Sequence, residues 1–139
     1  MGNESANKEI LKTAYTKWHD TRGGSVDHWL SLMADEIDFR SLADGEGGLN
    51  FTKQVESRAD MDRYFSGLSE GMEMVNYKVS QYVAEGETVV VVGSTSWRVK
   101  ATGKVFDTPK VDVVRFEDGK IVAFFEYYDT AKILAAMSP

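Results

Sequence analysis

The second half of the chain changes its hydrophobic period, and this change constrains the fold more than any other feature. From Met72 onward the pattern is that of β-strands, in four stretches that Gly86, Gly103 and Asp118-Gly119 separate. An Asp-Gly pair between two strands is a strong hairpin signal. The sequence therefore predicts four consecutive antiparallel strands. They cover Glu73–Val83, Thr88–Thr102, Val105–Phe116 and Lys120–Tyr128.

Apolar residues in the first half recur at helical spacing instead. Over residues 5–21 they fall at i, i+1, i+4, i+5 and i+8, which places them on one helical face. The pattern predicts further helices at 26–33, from Ser57 to Gly67 or Gly71, and at 130–137. It also predicts a short strand at 37–42 and a surface loop or lid at 44–57. Three helices followed by a strand meander predict an α+β fold rather than alternating βαβ units.

Length and charge limit what the protein can be. A chain of 139 residues is predicted to form one domain, 1–139, that buries its own core. Its net charge is −6 and its Lys and Arg residues are scattered, so we expect no nucleic-acid partner. There is no cysteine, which excludes disulfides and thiol nucleophiles. The N-terminus is polar and no apolar run is long enough to span a membrane, so the expected location is the cytoplasm, with no membrane partner.

The last strands are apolar on both faces, whereas a solvated antiparallel sheet has one polar face. We expect one face to cover the helices and the other to pack on a second copy of the chain, as a homodimer. The residues assigned to that outer face are Val111, Val113, Ile121, Ala123 and Phe125.

The inner face carries the charged residues that point to function. Asp112 and Glu126 lie among apolar neighbours on strands that we expect to pair, and Lys110 projects to the same face as Asp112. Charged side chains avoid such positions unless they are paired or functional. Two interpretations remain open: an acid–base site in an apolar pocket, or a buried ion pair without chemistry. His19 and His28 have no third ligand nearby, so a metal site is not expected.

Two stretches carry a resemblance to a known family. They are Ala34-Asp35-Glu36 and the ending from Asp112-Val113-Val114-Arg115-Phe116 through Asp118-Gly119 to Glu126-Tyr127-Tyr128-Asp129. With them the chain resembles the nuclear transport factor 2-like superfamily, and within it the SnoaL-like and ketosteroid-isomerase-like enzymes. The resemblance implies a cone-shaped roll, in which a curved, mainly antiparallel sheet wraps around the N-terminal helices and encloses a hydrophobic pocket. It also implies dimers through the outer sheet face.

The resemblance implies roles for several residues. Tyr15 matches the oxyanion-hole tyrosine of ketosteroid isomerases, and Asp112 matches their protonated aspartic acid. Ser41 falls where those enzymes carry the proton-shuttling aspartate. Glu126 instead matches the last-strand acid of SnoaL-type polyketide cyclases. Together with Lys110-x-Asp112, it is similar to the catalytic triad of limonene-epoxide hydrolases.

These observations predict a cofactor-free acid–base enzyme acting on a small apolar, ring-containing molecule, of isomerase, cyclase, dehydratase or hydrolase type. Glu126 is the expected ionised base, Asp112 and Tyr15 the donors to a developing oxyanion, and Lys110 the residue that tunes Asp112. The alternative is a non-catalytic, dimeric domain that holds a small apolar ligand. The residues expected to line the binding pocket are Phe39, Ser41, Trp97, Val114, Phe124 and Tyr128.

Overall fold

The computed structural model describes residues 2–139, which form four helices and one six-stranded sheet. The helices are α1 (Glu4–Asp20), α2 (Val26–Leu32), α3 (Met61–Gly71) and α4 (Thr130–Met137). The strands are β1 (Met33–Ser41), β2 (Val55–Ser57), β3 (Met72–Glu85), β4 (Thr88–Val99), β5 (Val105–Glu117) and β6 (Lys120–Tyr127). The α+β class and the curved sheet wrapped around helices are confirmed.

The sheet order is β2-β1-β6-β5-β4-β3. The four predicted strands form the antiparallel meander β3 to β6, and β1 adds to it in parallel beside β6. The sequence pattern missed β2, which is only three residues long and lies inside the predicted loop. The predicted strand starts at Ile37, four residues after β1 begins, because the pattern places Met33 in the preceding helix. The remainder of the loop forms two 3₁₀ turns, Glu46–Gly48 and Asn50–Thr52.

Register shifts bend the sheet into a roll. In β3 they fall between Met74 and Asn76 and between Val79 and Gln81. Gly93 lies opposite Val79, and a Cβ there would come within 2.0 Å of the carbonyl oxygen of Lys78. Glycine at this position therefore lets the two backbones approach where the sheet turns.

The concave side of the sheet and the helices share one core. Helix α1 buries Leu11, Ala14, Tyr15 and Trp18, and it packs chiefly on β3. The ring of Trp29, from α2, meets the rings of Tyr15 and Trp18 edge-on, at centroid distances of 5.1 and 6.4 Å. Such edge-to-face contacts are favourable geometries for aromatic pairs. None of the helices described in residues 2–139 has the length and apolar character that crossing a membrane requires.

The outer side of the sheet is only partly covered. Val111, Val113, Ala123 and Phe125 are half-buried there, and the rings of Phe125 and Tyr127 stack at 4.4 Å. The assignment of Ile121 to this face is wrong, because Ile121 is fully buried in the core, opposite Phe116. A β-bulge at Val122, between Ile121 and Ala123, reverses the alternation along β6. The homodimer through this face stays a prediction.

Candidate active site in an aromatic cavity

A cavity of about 90 Å³ lies between the helices and the concave face of the sheet. One water molecule needs only ~10–15 Å³ of such space, so the cavity has room for a small organic ligand. Its wall is mostly aromatic. The aromatic residues that line it are Tyr15, Trp18, Trp29, Phe39, Phe51, Tyr64, Phe65, Tyr77, Trp97, Phe106, Phe124 and Tyr128.

The segment 44–57, which the sequence predicts as a loop, closes one side of this cavity. Leu49, Phe51 and Thr52, from the 3₁₀ turns, belong to its wall. Phe51 packs against Gly67 of α3, where an added Cβ would lie 2.2 Å from the Cβ of Phe51. The absence of a side chain at Gly67 therefore makes room for the phenylalanine that covers the cavity.

A β-bulge in β6 brings the charged residues of the cavity together. Near the hairpin Phe116 pairs with Ile121, but further along Arg115 pairs with Ala123, so Val122 is an extra residue without a partner on β5. Beyond the bulge, Glu126 lies directly opposite Asp112 and faces the cavity. Without the extra residue, the alternation of β6 would turn Glu126 to the outer face.

Two carboxylates directly opposite each other on one sheet face repel, and Lys110 offsets that repulsion. Its Nζ lies 2.7 Å from Asp112 Oδ1 and 3.1 Å from Glu126 Oε1. The exposed fraction is 1% for Asp112, 5% for Glu126 and 11% for the side chain of Lys110. The three residues form a buried cluster, which we call the Lys110–Asp112–Glu126 cluster.

Two tyrosines complete the surroundings of Asp112. Tyr15 and Tyr77 both donate hydrogen bonds to Oδ2, the latter at 3.3 Å. Lys110 Nζ donates to the hydroxyl oxygen of Tyr77, also at 3.3 Å, and to Asp112 itself. Asp112 is therefore held by donors from α1, β3 and its own strand.

Glu126 has its own set of donors. The Tyr64 hydroxyl lies 3.0 and 2.9 Å from the two carboxyl oxygens, and Ser41 donates to Oε2 at 2.6 Å. The Tyr128 hydroxyl is also hydrogen-bonded to Ser41 and accepts the backbone N–H of Ala43 at 3.1 Å. Ser41 ends β1 and pairs with Glu126 across the parallel ladder, which explains why these two side chains meet.

Burial and charge shift the protonation equilibria of the cluster. Burial alone would lower the pKa of Lys110, but Asp112, Tyr77 and Glu126 outweigh it and hold this pKa well above its usual value. Burial raises the pKa of Tyr15 and Tyr64 well above normal, and the charges of Asp112 and Glu126 add to the effect. Burial and Asp112 raise the pKa of Tyr77 in the same way. The ammonium stays charged and the phenols stay neutral donors.

The structure brings most of the predicted site residues to one place. The cavity is lined by Tyr15, Phe39, Trp97, Lys110, Asp112, Phe124, Glu126 and Tyr128, while Ser41 reaches it through Glu126. Val114 is a correction, because it is fully buried in the packed core and is not part of the cavity wall. Val114 lies on the same inner face as Asp112, but at this position β5 packs against other core residues and no longer borders the cavity. The catalytic and binding roles stay predictions.

Sequence reasoning missed Tyr64 and Tyr77. Tyr64 lies on the apolar face of α3, and Tyr77 is a buried residue of β3. A signal for both existed, since a buried tyrosine needs a partner for its hydroxyl. Asp129 is the N-cap of α4 and accepts the N–H of Lys132. Among residues 2–139, no group of three or more His, Cys, Asp or Glu side chains is arranged to hold a metal ion.

Comparison with known families agrees with this geometry. Residues 15–124 match the SnoaL-like domain, which is most of the chain. The chain belongs to the SnoaL-like family. No curated protein sequence matches it.

Solved structures place this SnoaL-like domain in the nuclear transport factor 2-like fold. An NTF2-like protein from Burkholderia thailandensis is 25% identical, with a TM-score of 0.81 over 96% of this chain and 98% of its own. A protein described as a SnoaL-like polyketide cyclase, from Jannaschia, is 18% identical, with a TM-score of 0.79 over 100% and 97%. A protein of ketosteroid isomerase-like fold from Catenulispora acidiphila, in complex with trimethylamine, is 16% identical, with a TM-score of 0.75 over 94% of each chain.

Proposed function

We propose that this SnoaL-like domain is a cofactor-free enzyme that acts by acid–base chemistry on a small apolar, ring-containing molecule. The reaction lies in the isomerase, polyketide-cyclase, dehydratase or epoxide-hydrolase range. One observation carries the proposal: a buried carboxylate, Glu126, lies at the wall of an aromatic cavity that is large enough for a small ligand. The structural likeness to a protein described as a polyketide cyclase is consistent with it.

In this proposal Glu126 is the base that takes a proton from the substrate or from water. The Nζ atom of Lys110 lies 3.1 Å from Glu126 Oε1 and 2.7 Å from Asp112 Oδ1. Tyr15 donates to Asp112 Oδ2 in the structure, so it would have to turn from Asp112 to donate to an oxygen on which charge develops. Asp112 as a protonated donor stays a prediction, and its rival is an ionised Asp112 paired with the Lys110 ammonium 2.7 Å away.

The experiment follows proton removal directly. The protein is incubated in D₂O with 2-cyclohexenone, a small cyclic enone, and in buffer with cyclohexene oxide, a small cyclic epoxide. Hydrogen–deuterium exchange and diol formation are followed by NMR. We expect one of the two reactions to exceed the background rate in the natural protein and to disappear in Glu126→Gln. If the natural protein and Glu126→Gln react at equal rates, an acid–base role for Glu126 is contradicted. If neither protein reacts faster than the background, an acid–base enzyme for these substrate classes is contradicted.

A second candidate is a non-catalytic domain that binds a small apolar ligand. The observation that favours it is the engagement of Glu126, which already accepts hydrogen bonds from Tyr64 and Ser41 and pairs with the Lys110 ammonium at 3.1 Å. A carboxylate with so many donors has little capacity left for a further proton. Ser41 also stands where a base would be expected from the resemblance. Ligand binding without any turnover would support this candidate, and the likeness to a protein crystallised with trimethylamine fits it equally well.

We further propose a homodimer through the outer sheet face. Half-buried Val111, Val113 and Phe125 form an apolar surface there, next to the exposed ring of Tyr127. Sedimentation at micromolar concentration tests this proposal, with Val113→Lys as the disrupting variant. We expect the natural protein to sediment at about twice the 15.5 kDa of one chain and the variant at that mass. A natural protein that sediments as a single chain would contradict the dimer.

A further inference from the structure

The cavity has an unequal set of charges. Among residues 2–139, its wall contains two acidic side chains, Asp112 and Glu126, and one basic side chain, Lys110. Both acids contact the ammonium of Lys110, which can only donate hydrogen bonds, so each presents an acceptor oxygen to it. With both carboxyl groups ionised, the cavity carries a net charge of −1 inside an aromatic wall, where electrostatic interactions are stronger than in water.

Lys110 is engaged by its neighbours in the cavity wall. Two of its three N–H donors are hydrogen-bonded to Asp112 Oδ1 and to the hydroxyl of Tyr77, and the ammonium also lies in ion-pair contact with Glu126 Oε1, at 3.1 Å. An anionic ligand would compete with these buried partners for the ammonium. Removing a donor from a buried charged group is costly, so the cavity disfavours anions.

The hydroxyl protons of the cavity wall are committed in the same way. The tyrosines of the wall at positions 15, 64 and 77 donate to the two carboxylates. Ser41 uses its proton on Glu126, so Tyr128, whose hydroxyl lies within hydrogen-bond distance of Ser41 Oγ, must donate to Ser41.

The threonines of the wall at 52, 95 and 108 donate to the backbone carbonyls of Leu49, Asn76 and Pro109. The wall therefore offers oxygen lone pairs more readily than hydroxyl protons. A ligand that brings its own donor fits this surface.

These observations indicate the charge of the ligand. We propose that the cavity selects a small ring-containing molecule bearing a protonated amine, whose N–H groups reach the free lone pairs at Asp112 and the tyrosine oxygens. The charge of such a ligand neutralises that of the Lys110–Asp112–Glu126 cluster, and aromatic faces attract cations within about 6 Å of a ring centroid. The inference rests on the proposed function in one respect, namely that this cavity is the ligand site.

Three probes with the same ring and different charges test the proposal: benzylamine, benzyl alcohol and benzoate. Their binding to the full chain at neutral pH is measured by isothermal titration calorimetry and by NMR shifts of the indole N–H signals. We expect benzylamine to bind at least tenfold more tightly than benzyl alcohol, and benzoate to bind most weakly. Benzoate as the tightest probe, or equal affinities for all three, would overturn the proposed charge selection and leave the ligand site intact. Binding of none of them would overturn the ligand site itself.

A variant tests which group provides the selection. In Glu126→Gln the cluster becomes neutral, so we expect benzylamine affinity to fall at least tenfold while benzyl alcohol affinity stays within about twofold. The matched control is Glu73→Gln, which removes an exposed carboxylate of β3 that pairs with Arg98. It should change neither affinity. An equal loss of benzylamine affinity in both variants would mean that overall charge, not the cavity, attracts the amine. The probe series on the natural protein still tests the proposal if a variant does not fold.

Discussion

Replacing Glu126 by Gln separates a functional carboxylate from a structural counter-ion. The substitution keeps the shape of the side chain and one acceptor oxygen. That oxygen can still face Lys110 and Tyr64. The new NH₂ group would then face Ser41, whose hydroxyl can reverse and donate to Tyr128. Lys110 meanwhile keeps Asp112, its nearer partner at 2.7 Å.

The expected cost follows from these contacts. Breaking a buried ion pair by removing one partner costs ~3–5 kcal/mol. Here the ammonium keeps a second carboxylate, and the repulsion between Asp112 and Glu126 disappears, so we expect a loss of about 1–2 kcal/mol. With ~3–5 °C per kcal/mol for a domain of this size, the Tm should fall by roughly 3–10 °C.

The assay is thermal unfolding followed by circular dichroism, with Asp112→Asn as the matched comparison. Asp112 is the closer partner of Lys110 and also holds Tyr15 and Tyr77, so its replacement should cost more than that of Glu126. The reasoning fails if Glu126→Gln lowers the Tm by more than about 10 °C, as a full ~3–5 kcal/mol loss would. It also fails if Asp112→Asn is the milder variant.

Three further predictions concern stability. Lys110→Met leaves two facing carboxylates without a counter-ion and should lower the free energy of unfolding by ~3–5 kcal/mol, measured in urea; a loss below about 1 kcal/mol would contradict the cluster. Because Lys110 and the four cavity tyrosines have a raised pKa in the folded state, the unfolded chain releases their protons first. The free energy of unfolding should keep its full value below about pH 10 and fall above that pH by about 1.4 kcal/mol per pH unit for each group. If the absorbance of ionised tyrosine from these residues rises before the protein unfolds, their burial is contradicted. Gly93→Ala places a Cβ against the Lys78 carbonyl and should cost more than ~2 kcal/mol, whereas Gly71→Ala, with open space around it, should cost less than ~1 kcal/mol.

Much of the fold could be predicted because local signals and long-range pairing agree. Asp118-Gly119 fixes a hairpin with Glu117 paired to Lys120, and alternation then decides which residues of β5 face inward. Lys110 and Asp112 were therefore placed correctly, two residues apart on the inner face. The N-cap at Asp129 is equally local, since its hydrogen bond joins residues only three positions apart.

What the sequence could not reveal depends on irregular or distant pairing. The extra residue Val122 leaves no composition signal, yet it lets Ile121 share the inner face with Glu126, whereas strict alternation along β6 puts the two on opposite faces. The parallel pairing of β1 with β6 joins segments about 85 residues apart and brings Ser41 to Glu126. Tyr64 comes from a helix whose apolar face accounts for it without any partner on the sheet. A periodicity argument cannot assign these contacts.

The account depends most on the claim that the Lys110–Asp112–Glu126 cluster is the polar end of a ligand site. A crystal structure of the protein grown with the tightest of the three benzyl probes tests it most directly. We expect density for the ring among the aromatic residues of the cavity, with its polar atom within about 3.2 Å of a carboxyl or tyrosine oxygen of the cluster. A probe bound only outside this cavity, with the cluster contacts unchanged, would contradict the account.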